Sequence, residues 1–217
     1  MSEEKNSTDD KPINCKIILV GDSGVGKTSL IARYLNKYSP NIVTTINTSF
    51  YSKLVVIDDY KINFQIWDTV GQEKYRSLNS LFFKDANICI LVYDITKEKT
   101  FNNIKNYWYE SVITNGSEGI ICGVAGNKSD LYEFEKNDRN EVTDFCKEIN
   151  AVFRFTSAKN NYCVDELFKE LGDKFMNSDY MQRIKRNKEI KRLEIEKFNI
   201  EQGKNANGIK KEKKGCC

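Results

Sequence analysis

Cys15-Lys16-Ile17-Ile18-Leu19-Val20 runs directly into Gly21-Asp22-Ser23-Gly24-Val25-Gly26-Lys27-Thr28. The first six residues form a short apolar run, the pattern of a parallel strand buried on both faces. The next eight fit a phosphate-binding pattern of glycine, four free positions, then Gly-Lys-Thr. Leu30, Ile31, Tyr34 and Leu35 follow at helical spacing. Strand, glycine-rich turn and helix in this order build a cradle for phosphate. The backbone N–H groups of Ser23, Gly24, Val25 and Gly26 can close around the oxygens at a helix N-terminus whose dipole favours anions. Lys27 can then reach the β- and γ-phosphates, and the Thr28 hydroxyl can ligate Mg²⁺.

The rest of the composition narrows the chemistry. The chain has 217 residues and no run of about 18 apolar residues that would span a membrane. Its N-terminus carries neither a signal-peptide apolar core nor a glycine at position 2 for myristoylation. With no histidine, Ser-His-Asp and Cys-His catalysis and histidine-ligated metals are excluded. Cys15, Cys89, Cys122, Cys146 and Cys163 lie singly in apolar segments and read as small hydrophobes of a reducing compartment. Charge is unevenly placed: residues 181–217 hold 12 Lys/Arg against 5 Asp/Glu, a surplus of +7, and the remainder hold 22 against 26, or −4. An acidic body with a basic tail directs the tail to an anionic surface, and nothing points to nucleic acid.

Along the chain, residues 1–13 read as a disordered lead, 14–179 as one nucleotide-binding domain and 180–217 as a basic tail. Phe50–Ile57 and Ile62–Trp67 form a hairpin joined by Asp58-Asp59-Tyr60-Lys61. A helix is expected over about Glu73–Lys84, and further strands at Ile88–Tyr93, Ile120–Gly126 and Ala151–Phe155. Ile104, Trp108 and Val112, spaced by four, mark one helix; Val142, Phe145, Cys146 and Ile149 mark another; Val164 to Phe175 mark the closing one. The fold class is α/β: a mostly parallel six-stranded sheet with one antiparallel edge hairpin and helices on both faces. In the tail, helix propensity stays high to Ile200, and Gly203, Asn205, Asn207 and Gly208 then predict coil.

Four further segments lie at or beside strand ends, where such sheets bind ligands. Asp68 can hold Mg²⁺ through water, the Gly71 N–H can approach a γ-phosphate, and Gln72 can position an attacking water through one amide that both donates and accepts. Asn127-Lys128-Ser129-Asp130 reads as a guanine-selective segment, the alternative for the tetrapeptide by itself being a polar turn after a strand. The base offers N1–H and an adjacent amino group, two parallel donors that the Asp130 carboxylate accepts together, whereas adenine places an acceptor at N1. Asn127 can brace the loop and the Lys128 stem can lie along the base. Ser157, Ala158 and Lys159, within Thr156-Ser157-Ala158-Lys159, offer N–H donors for the guanine O6. Thr45 is a second hydroxyl for Mg²⁺ and the γ-phosphate, with Thr44 and Thr48 as rivals.

On these residues the chain resembles the Ras superfamily of small GTPases, and within it the Rab family, with a lean toward its endosomal branch. The resemblance rests on GDSGVGKTS, TIN…F, IWDTVGQEKYRSL, LVYDIT, GNKSD, TSAK and a terminal Cys-Cys, and covers about residues 14–178 plus the C-terminus. It implies a GTP hydrolase with Mg²⁺ as cofactor and Gln72 and Lys27 as catalytic residues. It places Ser29 near the α-phosphate and Tyr38 over the guanine. It implies an effector surface of Phe50, Trp67 and Phe82, although ordinary packing between hairpin and helix accounts for the same rings equally well. It implies geranylgeranyl groups on Cys216 and Cys217, the alternative being two unmodified thiols. The implied partners are effectors, an exchange factor, a GTPase-activating protein and an escort or GDI-type chaperone. The implied form is a monomer shared between cytosol and the cytoplasmic face of an endosomal or other vesicle membrane.

The chain departs from the family pattern at Val70, where alanine is usual, at Asn47, where glycine is usual, and in a loop between Thr28 and Thr45 that is one residue short. Phe155 stands where Glu often precedes Thr-Ser-Ala-Lys. These changes bear on hydrolysis rate and partner choice and remove no catalytic group. Two other classes share part of the pattern: a P-loop ATPase or kinase, which has no use for Asn127 and Asp130, and a nucleotide-dependent scaffold without turnover.

Overall fold

Strand β1 (Ile13–Val20) lies at the middle of the sheet because its apolar run can be covered on both faces; its last four side chains are fully buried. The computed structural model describes residues 11–39, 48–69 and 82–208, with side chains to residue 199. Around β1, strands β2 (Ser49–Ile57), β3 (Tyr60–Asp68), β4 (Ile88–Asp94), β5 (Ile121–Asn127) and β6 (Val152–Thr156) complete a six-stranded sheet in the order β2-β3-β1-β4-β5-β6. All neighbours are parallel except β2 and β3. The expected sheet, including its antiparallel edge, is therefore the observed one.

The hairpin is tighter than its sequence suggests. Only Asp58 and Asp59 form the turn, at φ 48° and 65°, and Tyr60 and Lys61 already pair with Ile57 and Val56. Two successive left-handed residues give the two-residue turn whose twist matches the flanking strands, and aspartate tolerates that conformation.

Helix α1 (Lys27–Tyr34) follows β1, and α2 (Glu98–Asn103) follows β4. A π turn, Ile104–Trp108, joins α2 without a break to α3 (Tyr109–Asn115). A 3-10 turn (Ser129–Phe134) and the helices α4 (Arg139–Glu148) and α5 (Val164–Met176) follow. On one face Ile18, Val20, Leu91 and Tyr93 pack with Phe101, Ile104, Trp108 and Val112. On the other, Tyr34 of α1 stacks on Phe168 of α5 at 3.8 Å between ring centroids. Each buried side chain of this size contributes about 1.5–3 kcal/mol. The spacing by four at 104, 108 and 112 predicts a plain α-helix; the wider turn inside it is a departure.

Contacts divide the chain into two compact units, Met1–Phe175 and Met176–Cys217. In the second, α6 (Asp179–Gly208) is one helix that continues past Ile200 through the segment expected to be coil. Ile190, Leu193, Ile195 and Phe198 are exposed along it, and Arg192 pairs with Glu196 one turn on. Among the described residues no helix is long and apolar enough to cross a membrane. Most of the expected helix Glu73–Lys84 and the N-terminal lead lie outside the described residues, as do Thr45, Asn47, Val70, Gly71, Gln72, Cys216 and Cys217.

Candidate functional site

The phosphate loop is shaped by glycines at which any side chain would be strained, Gly21 and Gly26 above all. Gly21 has φ 142°, and a Cβ there would sit 2.1 Å from the Val92 carbonyl oxygen. Gly26 caps α1 at φ 102°, in the left-handed region, and supplies no side chain to the helix N-terminus. That end of α1 therefore presents N–H groups and a positive dipole to the loop. Ser23 and Gly24 are exposed, Val25 is buried and Ser29 half-buried beside them.

Lys27 is buried and its ammonium donates to the carbonyl oxygens of Gly21 at 2.8 Å and Asp22 at 2.9 Å. Burial pushes its pKa down to about 8, against the opposing pull of the Asp68 and Asp22 carboxylates. Next to it the Thr28 hydroxyl donates to Asp68 Oδ2 at 2.7 Å. Asp68 ends β3 opposite Leu19, which places it under the loop, and the Thr69 hydroxyl anchors the same corner by donating to the Leu19 carbonyl at 2.6 Å. Burial raises the Asp68 pKa, while Thr28 and Lys27 pull it back. Asp68 Oδ1 is buried and has no hydrogen-bond partner among the described residues. A hard cation with oxygen ligands suits this set: one hydroxyl, and one carboxylate with a free buried oxygen.

The second loop grows from three strand ends brought level by register, with Asp94 opposite Asn127 and Asn127 opposite Thr156. Asn127 Nδ2 donates to the Val25 carbonyl at 2.8 Å, tying this loop to the phosphate loop. Lys128, at φ 67°, turns its ammonium onto Asp94 Oδ2 at 2.7 Å. Burial alone would raise the Asp94 pKa, but the bonds from Lys128 and Thr96 outweigh it and hold the carboxyl below its ordinary value. Asp130 Oδ1 accepts from the Ser157 hydroxyl at 2.6 Å, and the Lys159 ammonium lies 3.9 Å from Oδ2. Arg33, from α1, donates to the carbonyls of Ala158 at 2.6 Å and Lys159 at 2.9 Å, with its guanidinium 4.0 Å from the Tyr38 ring centre. The residues expected around the base thus converge: Asn127, Lys128, Asp130, Ser157, Ala158, Lys159 and, through Arg33, Tyr38.

Phe50, Trp67 and Phe82 are contiguous. Phe50 meets Trp67 edge-on at 5.1 Å, and Trp67 lies 6.0 Å from Phe82. Phe50 remains 49% exposed, so the cluster is a surface feature. Sequence reading overlooked Asp22, Arg33, Asp94, Asn103 and Trp108 as site residues. Asp22 sits in a free position of the loop pattern, and the partners of Asp22 and Arg33 are more than eighty residues distant in sequence.

A mostly parallel six-stranded sheet whose first strand ends in this glycine-rich loop, with Asp130 in the loop two strands away, has the architecture of a Ras-like P-loop GTPase. The family model described as "Ras family" matches residues 16–177. "Ras-related protein Rab-22A" of Homo sapiens is 39% identical over 165 residues, covering 76% of this chain and 84% of the relative. "Ras-related protein RabJ" of Dictyostelium discoideum is 37% identical, covering 82% and 70%. "Ras-related protein Rab-13" of Bos taurus is 38% identical, covering 79% and 85%. The chain belongs to the Ras family as a Rab-type small GTPase, which binds GTP and GDP and hydrolyses GTP.

Proposed function

We propose that this GTPase is a Mg²⁺-dependent, membrane-attached switch that recruits effectors in vesicle traffic. The observation that carries the reading is the pair Thr28 and Asp68 beside the buried Lys27: a hydroxyl, a carboxylate with one buried oxygen unpartnered among the described residues, and an ammonium. Thr28 and Asp68, with Thr45, would hold Mg²⁺, which when bound neutralises phosphate charge. Lys27 binds the β- and γ-phosphates, and the Ser23–Gly26 amides and Ser29 bind along the phosphate chain. Asp130, Lys128 and Asn127 take the guanine with Ser157, Ala158 and Lys159, and Tyr38 covers it. Gln72 orients the attacking water, and Thr45 and Gly71 sense the γ-phosphate. Their differential contacts bias two arrangements of residues 38–49 and 70–84, which alter the surface around Phe50, Trp67 and Phe82 that effectors meet. An exchange factor, a GTPase-activating protein and a GDI-type escort set how long each arrangement lasts.

Removing Mg²⁺ with EDTA should accelerate GDP release from the wild type. Asp68→Ala should release GDP fast with or without EDTA. A variant that still responds to EDTA as the wild type does would remove Asp68 from the site.

Anchoring is assigned to residues 180–217. Geranylgeranyl groups on Cys216 and Cys217, reinforced by Lys210, Lys211, Lys213 and Lys214, hold the protein on the cytoplasmic face of an endosomal or other vesicle membrane. Replacing both cysteines by serine should shift the protein to the soluble fraction, whereas high salt alone should release little of the wild type. Persistence of the double variant in the membrane fraction would refute the lipid anchor.

A further inference from the structure

Asp22 occupies the first free position of the phosphate loop, and its two carboxylate oxygens are gripped separately from outside the loop. Asn103 Nδ2 donates to Oδ2 at 2.6 Å, and the indole Nε1 of Trp108 donates to Oδ1 at 2.9 Å. The two donors are five residues apart. On a regular α-helix five residues turn through about 500°, which leaves the two side chains about 140° apart around the axis. Such a pair does not meet one carboxylate. Here the helix widens between them: Ile104–Trp108 is a π turn, and the Tyr109 N–H bonds to the Ile104 carbonyl, five residues back. A turn of that width brings position i+5 back above position i. Trp108 is fully buried, so its indole N–H is held in one direction by packing.

The backbone of the same aspartate faces the other way. Its carbonyl oxygen, with that of Gly21, accepts from the Lys27 ammonium. Residue 22 is thus held by α2 and the π turn through its side chain, and holds Lys27 through its main chain. A carboxylate turned into the loop would repel a polyanion; two donors keep it turned outward with its oxygens matched.

We propose that Asn103 and Trp108 are positioning residues of the nucleotide site, and that the π turn exists to aim both at Asp22, fixing the loop carbonyls that hold the Lys27 ammonium. The proposal rests on the reading that Gly21–Thr28 receives the phosphates. It assigns part of nucleotide retention to residues that act through Asp22 from outside the phosphate loop.

The test is the release rate of the fluorescent analogue mant-GDP from the full chain, with thermal melting read alongside. Asn103→Asp sets two carboxylates face to face and should speed release by about tenfold or more. Adding Asp22→Asn leaves the pair's total charge unchanged and reverses its polarity. The new amide then donates to the introduced carboxylate while its oxygen still accepts from Trp108, and release should return to within about threefold of wild type, as expected of a directly coupled pair. Wild-type release from Asn103→Asp well below its Tm, or failure of the second change to rescue, overturns the proposal.

Length variants keep the question open to disproof if the charged variant fails to fold. Deleting Asn106, an exposed residue inside the turn, leaves the donors four residues apart, about 40° on an ordinary α-helix. Release should then stay at the wild-type rate. Inserting one alanine after Asn106 should speed it. Equal acceleration by both changes overturns the role of the π turn. Equilibrium binding to Lys27→Ala separates the two levels: a variant that binds mant-GDP as the wild type does removes the phosphate-loop reading itself. Weakened binding there, beside unchanged release from Asn103→Asp, removes only the positioning proposal.

Discussion

The two ends of the nucleotide site are finished to different degrees. At the base end the polar groups already satisfy one another: Asn127 with Val25, Lys128 with Asp94, Asp130 with Ser157, and Arg33 with Ala158 and Lys159. At the phosphate end, burial pushes the Lys27 pKa down to about 8 against the pull of Asp68 and Asp22, the ammonium donates to two loop carbonyls, and among the described residues Asp68 keeps one buried oxygen unpartnered. The base end is a template whose bonds fix where the carboxylate and amides stand. The phosphate end concentrates charge that a polyanion and its cation match. On the proposed reading, selectivity would be set at the first end and strength of binding at the second.

The largest expected effect comes from breaking the template. Asp130→Asn should weaken GTP binding by roughly 1–3 kcal/mol or more, because a buried donor pair on the base loses its acceptor. Relative binding of xanthine nucleotides should improve, since xanthine carries a carbonyl where guanine has its amino group. A competition titration reads both, and unchanged GTP affinity would take the selectivity away from Asp130. A smaller effect sharpens the comparison. Arg33→Leu frees the Ala158 and Lys159 carbonyls and the Tyr38 ring and should cost about 0.5–1.5 kcal/mol in GTP affinity, with the response to EDTA unchanged. A loss as large as that of Asp130→Asn would make Arg33 part of the template itself.

How much of this was legible in the sequence follows from the range of the interactions. The strand, loop and α1 could be read because pattern, glycine placement and helix spacing all fall within twenty-one residues, Cys15 to Leu35. The loop of Asn127 and Asp130 could be placed at a strand end because the apolar run of β5 stops at it, and the structure brings it beside the phosphate loop and Ser157. The hairpin turn was read two residues too long, since Tyr60 and Lys61 look like loop until their partners Ile57 and Val56 are known. The π turn was hidden because apolar residues at 104, 108 and 112 fit an ordinary helix; only the hydrogen bond from Tyr109 to Ile104 separates the two. Helix α6 runs through Gly203 and Asn205 to Gly208, where local propensity favours coil. The effects of Asp22 and Arg33 depend on partners 81 to 126 residues away, beyond any local pattern.

Gly26 bears on both ends at once. A Cβ on this residue would stand 2.3 Å from Nδ2 of Asn127, the atom that donates to Val25. The absent side chain therefore serves the neighbouring loop as much as the phosphates. Mutational tolerance at position 26 is limited by its own left-handed backbone and, in addition, by a residue one hundred and one positions downstream. At this contact the two loops answer to one another: a side chain added at position 26 would displace the Asn127 amide, so a lesion in one loop would read out as a defect of the other.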